Sequence, residues 1–416
     1  MKRREKLAAV LVMAVLLAAL PVGGCRMEEH EKPDEQAKER KELLLWTYYE
    51  TDAQKAAVSN LVEGFNQSQE EYLLTWEYHG PLTEFNKRLA IEPTAEQKPD
   101  IVIIDNPDMK RYAKTGELED LTEYITQMDD LDTYYPEALD SACFGERYYG
   151  LPFCCNNVAL IYNEELFQEK GMTVPQTWEE FLDCAVALTE NDRKGFAMSA
   201  IKGEQSAFQI LPFILATGED MEQIGGTGTE EAFAFIRQLI ETGAMAKECV
   251  NWSQNDVARK FIDGECAMME NGPWVLPALE QSGVSYGIAR LPYLQGMEQA
   301  LTGVTGGENL GVIKGKDVEG AIAFMQYYNN EEERMLEVCM QADSLPPKRD
   351  VAERMLEEKP EYEIFEKQME TSISRTSCRN WTEITDILSD AQFFVVTGQM
   401  TPKEACAYIC EQGGDS

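Results

Sequence analysis

The chain predicts an α/β protein built as two lobes, and three observations carry that expectation. Short apolar runs alternate with segments of helical spacing, the order of strands and helices in a layered sheet protein. From Leu43 onward there are 374 residues, too many for one small core. Helix starts are marked by capping residues, and no internal repeat is found.

The elements follow in order. Leu43-Leu44-Leu45-Trp46 reads as a first strand, ending at Thr47 ahead of Tyr48, Tyr49 and Glu50. Gln54 to Asn66 sets Ala57, Leu61, Val62 and Phe65 at helical spacing. Leu73-Leu74-Thr75-Trp76 is a second strand. Ile101-Val102-Ile103-Ile104, between Asp100 and Asp105, is a third, apolar enough to be buried on both faces as parallel strands are. Thr177-Trp178-Glu179-Glu180 is a capping box ahead of Phe181, Leu182, Ala185 and Leu188. Thr401-Pro402-Lys403-Glu404 repeats the device with Pro at the first helical position. Asp317 caps a helix through Ala321, Phe324, Met325 and Tyr328.

The N-terminus is of another kind. Lys2, Arg3, Arg4 and Lys6 precede an uncharged run from Leu7 to Leu20, shorter than the roughly 20 residues of a membrane-spanning helix. A basic start, a short apolar core and small residues before a cleavage point read as a secretory signal, residues 1–24. Cys25 directly after Gly23-Gly24 resembles the lipobox of bacterial lipoproteins. The resemblance implies cleavage before Cys25, acylation there, and attachment to the outer face of the cytoplasmic membrane. Residues 25–42 are almost wholly polar and acidic, a tether that cannot bury enough apolar surface to fold.

Net charge over the whole chain is −37. This argues against nucleic acid, which rewards basic patches, and against lying tightly on anionic lipid. A solvated, soluble surface is the reading favoured for the acidity; a cationic ligand is the alternative. Of eleven cysteines, the ten besides Cys25 are irregularly spaced and several fall inside apolar helical patterns, so most are expected to be free thiols. No C-x-x-C pair suggests zinc.

Inventory excludes most catalytic motifs. There are two histidines, His30 in the tether and His79 beside the turn signal Gly80-Pro81, where it reads as a surface loop residue. A His-Glu-x-x-His zinc site is impossible. Gly311 to Lys316 lacks both the spacing and the Ser or Thr of a phosphate loop, and Gly225-Gly226-Thr227-Gly228 reads as a turn. No cofactor or metal is expected. Carboxylates are plentiful, so a two-carboxylate glycosidase stays open as an alternative of another class.

The positive signal is aromatic. In Gly264-Glu265-Cys266-Ala267-Met268-Met269-Glu270-Asn271-Gly272-Pro273-Trp274, Gly and Pro break the chain just before Trp274 and present its ring at a strand-to-helix turn. This segment resembles the motif of bacterial extracellular solute-binding proteins of the sugar-binding, maltose-binding-protein-like family. Tyr149-Gly150-Leu151-Pro152-Phe153 with Leu160-Ile161-Tyr162-Asn163, Val174 to Glu180, Ser285-Tyr286-Gly287-Ile288 with Leu291-Pro292, and Arg379-Asn380-Trp381 are similar to further family segments in the same order. The matches extend over nearly all of the chain after Leu43.

The resemblance implies a two-lobe periplasmic-binding-protein-like fold of type II, with discontinuous lobes around a ligand cleft. Residues 43–152 plus 306–358 would form lobe 1, and 153–305 plus 359–416 lobe 2. It implies a non-enzymatic, monomeric binder of a carbohydrate, working with the permease subunits of an ABC importer. Asn156, Trp274, Trp381 and Phe208 align with ligand contacts of the family. Position points independently to Tyr48, Tyr49 and Glu50, and to Asp105 and Asn106, because ligands of open α/β sheets sit beyond the carboxyl ends of strands; Asp105 has helix capping as its other reading. Gly306-Gly307-Glu308-Asn309 lies near the return crossover, and Glu308 joins the candidate site. Where maltose-specific members have a Trp and an Asp-Arg pair, this chain has Ile104 and then Pro107-Asp108, so a general oligosaccharide or glycoside is expected rather than maltodextrin. A polyamine or other cationic solute in the same fold is the alternative within the class.

Overall fold

The computed structural model describes residues 40–91, 98–298, 300, 303–378 and 381–413. The signal segment, Cys25 and the tether as far as Glu39 lie outside the described residues, as do Arg379 and Asn380.

Strand β1 (Lys41–Thr47) alternates between two cores: Leu43 and Leu45 enter one, Leu44 and Trp46 the other. β2 (Tyr72–Tyr78) and β3 (Ile101–Asp105) run parallel to it on either side. β3 repeats the alternation, Ile101 and Ile103 against Val102 and Ile104, and is buried along its whole length. Each such side chain contributes about 1.5–3 kcal/mol, which fixes the position of Asp105 at the strand's end. The connecting helix Asp52–Ser68 starts at a reciprocal capping box between Thr51 and Gln54 and turns Ala57, Leu61, Val62 and Phe65 inward.

The short hairpin β4 (Cys143–Phe144) and β5 (Arg147–Tyr148) leads into β6 (Gly150–Asn156). The chain then builds a second sheet from β7 (Ala159–Asn163), β8 (Lys194–Ala197), β9 (Cys266–Asn271) and β10 (Tyr286–Ala289), in the order β10-β7-β9-β8. It returns along β11 (Val304–Val312), and β12 (Ile373–Ser374) comes last. The first sheet has the order β12-β11-β3-β1-β2, and β6 also pairs with β11. β11 lies antiparallel to both β3 and β6, which sets Glu308 opposite Asp105 and Gly306 opposite Asn156. Gly307 has φ +127°, and a Cβ there would stand 2.1 Å from the Cys154 carbonyl oxygen, so only glycine lets β6 and β11 meet.

Around the second sheet pack helices Trp178–Leu188, Glu204–Leu215, Thr227–Glu241, Trp381–Thr397 and Pro402–Gly413. The expected caps are in place at Thr177, Thr401 and Asp317. His79 departs from its expectation as an exposed loop residue. It is 9% exposed, with its ring 3.8 Å from that of Trp46 and Nε2 2.8 Å from Glu77 Oε2. A turn signal gives backbone direction and says nothing of a stacking partner 33 residues earlier in the chain.

Candidate functional site

The parallel strands β1 and β3 end on one side of the first sheet, and a cleft opens there. Its central compartment has a volume of about 300 Å³. Tyr48, Tyr49 and Glu50 enter it from the end of β1, Asp105 from β3, Asn156 from β6 and Glu308 from β11. The second sheet contributes Trp274, from the turn after β9, and Glu204 and Phe208, from the first turns of helix Glu204–Leu215. A larger compartment of about 690 Å³ adjoins it, sharing Leu82, Thr83, Asp105, Lys202, Gly203 and Glu204.

Glu308 is held by three donors. It accepts from Tyr48 Oη at 2.6 Å, from Cys154 Sγ at 2.7 Å and from Tyr49 Oη at 3.3 Å. Burial lifts its pKa, and these three bonds pull it back. Burial, then the Glu308 charge, drives the Tyr48 phenol well above its ordinary range, so it stays a donor. The result is a rigid floor of aromatic faces and fixed hydroxyls.

Arg375 crosses the cleft. Its Nη2 donates to Asp105 Oδ1 at 3.0 Å and its Nη1 to Glu204. Burial opposes its charge, and Asp105 and Glu204 outweigh burial. Asp105 itself is lifted by burial against the pull of Arg375. It makes no side-chain cap for helix Asn106–Thr115, so the capping reading of Asp105 gives way to the ion pair. Removing one member of such a buried cluster leaves an uncompensated charge, at a cost of about 3–5 kcal/mol.

Eight of the ten residues expected at the site line this compartment: Tyr48, Tyr49, Glu50, Asp105, Asn156, Phe208, Trp274 and Glu308. Two do not. Asn106 is 2% exposed, and its Oδ1 accepts from Asn309 inside the first sheet. Trp381 is 4% exposed within the second core and spends its indole N–H on Glu204, so it supports a wall residue instead of offering a face. One face of Phe208 is occupied by the Arg375 guanidinium, 4.4 Å from the ring centroid. Sequence reasoning missed Arg375, Glu204, Lys202, Gln254, Asp343 and Ser344. No local pattern marks them: Asp343 has a positive φ of 53°, which only the folded backbone reveals.

Five carboxylates line the central compartment, Glu50, Asp105, Glu204, Glu308 and Asp343, against two bases, Lys202 and Arg375. Lys202 is paired with Asp390 at 2.5 Å in a half-exposed contact, while buried Arg375 is shared by two acids. Asp343 is lifted by burial to about 7, with Lys359 opposing. Among the described residues no group of three His, Cys, Asp or Glu is arranged to hold a metal ion.

With this geometry in hand, comparison with known proteins gives the class. The model of the bacterial extracellular solute-binding proteins matches residues 60–366. The chain belongs to that family. The maltotriose-binding protein of Pyrococcus abyssi is 28% identical over 218 residues, half of this chain but only 45% of the relative. The sn-glycerol-3-phosphate-binding periplasmic protein UgpB of Rhizobium meliloti is 24% identical over 316 residues, 69% of this chain and 70% of that one. Among solved structures, the GacH receptor of Streptomyces glaucescens superposes with a TM-score of 0.79 at 20% identity, covering 91% of this chain and all of the receptor. Maltose-bound MalE3 of T. maritima gives the same TM-score at 19% identity, over 89% of this chain and 98% of that one. The two-lobe fold around a cleft is therefore that of the maltose-binding-protein group.

Proposed function

We propose that the chain is the solute-binding component of an ABC importer, capturing a saccharide between its lobes and handing it to the permease without chemical change. One observation carries this reading: the cleft joins the rings of Tyr48, Tyr49 and Trp274 to the polar groups Glu308, Asn156 and Gln254. Sugars need that pairing, a flat apolar surface for ring C–H groups and planar polar groups for hydroxyls. Relatives described as maltotriose-, multiple-sugar- and galactooligosaccharide-binding proteins support it. The lobes are taken as residues 43–152 with 306–358 and residues 153–305 with 359–416, with β6 and β11 straddling the crossovers and β12 carrying Ile373–Ser374 back into the first sheet. Closure about those strands traps the ligand.

We place the protein on the outer face of the membrane, held by acyl chains on Cys25 and an acidic tether. Replacing Cys25→Ala in the full chain should abolish incorporation of labelled fatty acid into the protein; unchanged incorporation would overturn the anchor.

The direct test is a thermal-shift screen of residues 25–416 with malto- and galacto-oligosaccharides, monosaccharides, spermidine and sn-glycerol 3-phosphate. A ligand at 100 times its Kd adds about 2.7 kcal/mol, a rise of a few degrees in a chain this long. A response to one saccharide series names the ligand. A response to spermidine alone replaces the sugar reading with a cationic solute, and hydrolysis of an aryl glycoside replaces binder with enzyme.

A further inference from the structure

Arg375 has five N–H donors in a fixed fork, and the cleft accounts for its two ends but not its middle. Nη1 reaches Glu204 and Nη2 reaches Asp105, while Nε, buried in the cleft wall, has no partner. The residue is 3% exposed. A buried N–H left this way is expensive unless something arrives to accept from it.

The backbone around Arg375 is pinned to the first sheet's side. Ser374 N donates to Glu137, and Lys110 Nζ donates to the Thr376 carbonyl. Glu204 stands on the second sheet's side of the cleft and is held there by Trp381 and Thr385. Asp105–Arg375–Glu204 is therefore a bridge between the two sides of the cleft across the ligand space. Its single positive charge is already answered by two carboxylates, and the neighbouring Lys202 is answered by Asp390.

Resting on the saccharide reading above, we propose that Arg375 is a ligand-contacting and specificity-determining residue: its free Nε–H donates to an uncharged oxygen of the saccharide, while its spent charge excludes phosphorylated ligands. The same guanidinium joins Asp105 at the end of β3 to Glu204 on the second sheet's side, so ligand contact and the pairing across the cleft share one group. A hydroxyl or ring oxygen completes the fork at no electrostatic cost. A phosphate would meet Asp105, Glu204 and Glu308 in the central compartment, where the one buried base, Arg375, is already shared by two carboxylates.

The test is calorimetry on residues 25–416 with the malto- or galacto-oligosaccharide that the screen selects, against sn-glycerol 3-phosphate. Wild type should bind the saccharide and show no measurable binding of the phosphate. Arg375→Gln should weaken the saccharide about tenfold to a hundredfold, the range of a lost charge-assisted hydrogen bond. Arg375→Lys keeps the charge but not the fork, and should lose affinity while melting closer to wild type than Arg375→Gln, which separates contact from folding. Glu204→Gln uncovers part of the Arg375 charge and should narrow the preference against the phosphate. Saccharide binding by Arg375→Gln at wild-type strength overturns the assignment and leaves the sugar reading standing. Phosphate bound by wild type as tightly as the saccharide overturns it too. If no saccharide binds wild type, the reading beneath falls and the assignment falls with it.

Discussion

Substituting Gly272→Ala should cost ligand affinity through a residue that is not itself replaced. Gly272 has φ −101° and ψ −179°, extended backbone that alanine adopts without strain. The obstacle is Trp274: a methyl on Gly272 would lie 2.0 Å from Cζ3, 2.2 Å from Cη2 and 2.5 Å from Cε3 of the indole. Carbon atoms rest at about 3.5–4.0 Å, so the ring must withdraw by about 1.5 Å or more. A gap of 0.5–1 Å already forfeits roughly a quarter to a half of a dispersion contact, and this gap is larger. With an aromatic anchor worth about 2 kcal/mol, a loss of about 1–2 kcal/mol raises Kd about 5- to 30-fold. Overpacking should cost the fold about 1–3 kcal/mol, which in a chain of this length lowers Tm by about 1–4 °C. Calorimetry with the saccharide from the screen, beside a melting curve, reads both quantities, and Trp274→Ala sets the limit for complete loss. Gly272→Ala binding as tightly as wild type, with Trp274→Ala also unchanged, would show that the ring packs the turn and touches no ligand.

Further outcomes follow from buried groups. Glu270 is fully buried on β9, neither carboxyl oxygen has a partner, and burial alone drives its pKa well above the ordinary value. Its stabilising contribution is complete below the unfolded pKa and is lost as pH rises toward the folded one, about 1.4 kcal/mol for each unit of separation. Glu270→Met should therefore raise Tm at pH 7 and bring little gain at pH 4; an equal change at both would contradict a buried, proton-holding acid. Gly195→Ala should destabilise strongly, because the added Cβ falls 1.8 Å from the Ala185 carbonyl oxygen where helix Trp178–Leu188 rests on β8; a Tm within about 1 °C of wild type would show that the helix can shift. Iodoacetamide on the native protein should mark exposed Cys410 first and spare Cys154 and Cys155, whose thiols are buried and lifted by burial. Early labelling of Cys154 in peptide mass maps would mean that the cleft floor opens.

What the sequence shows and what it hides divide along physical lines. β3 was readable because Ile101 to Ile104 form an unbroken apolar run, and the run also placed Asp105 at its end. The capping boxes at Thr177 and Thr401 were readable because all their partners lie within three residues. Trp274 was readable from the Gly-Pro break beside it. Arg375 was not, because its partners Asp105 and Glu204 lie 270 and 171 residues away and nothing local marks the encounter. Trp381 carries the same aromatic signal as Trp274. Only the packing of helix Trp381–Thr397 against helix Glu204–Leu215 decides that one faces the cleft and the other faces Glu204.

The route of β11 has a consequence for how the molecule is made. β3 leaves the N-terminal part of the chain with β1 on one side and nothing on the other until Val304 to Val312 arrives, after the entire second sheet. In that interval Ile101 to Ile104 is an open apolar edge without Pro or Lys, the kind of segment that pairs with copies of itself. A chain truncated before β11 should therefore aggregate rather than form a half-sized binder. The long wait also makes closure of the first sheet slow. On the proposed export route that delay is an advantage, since the chain stays threadable until its last third has crossed the membrane.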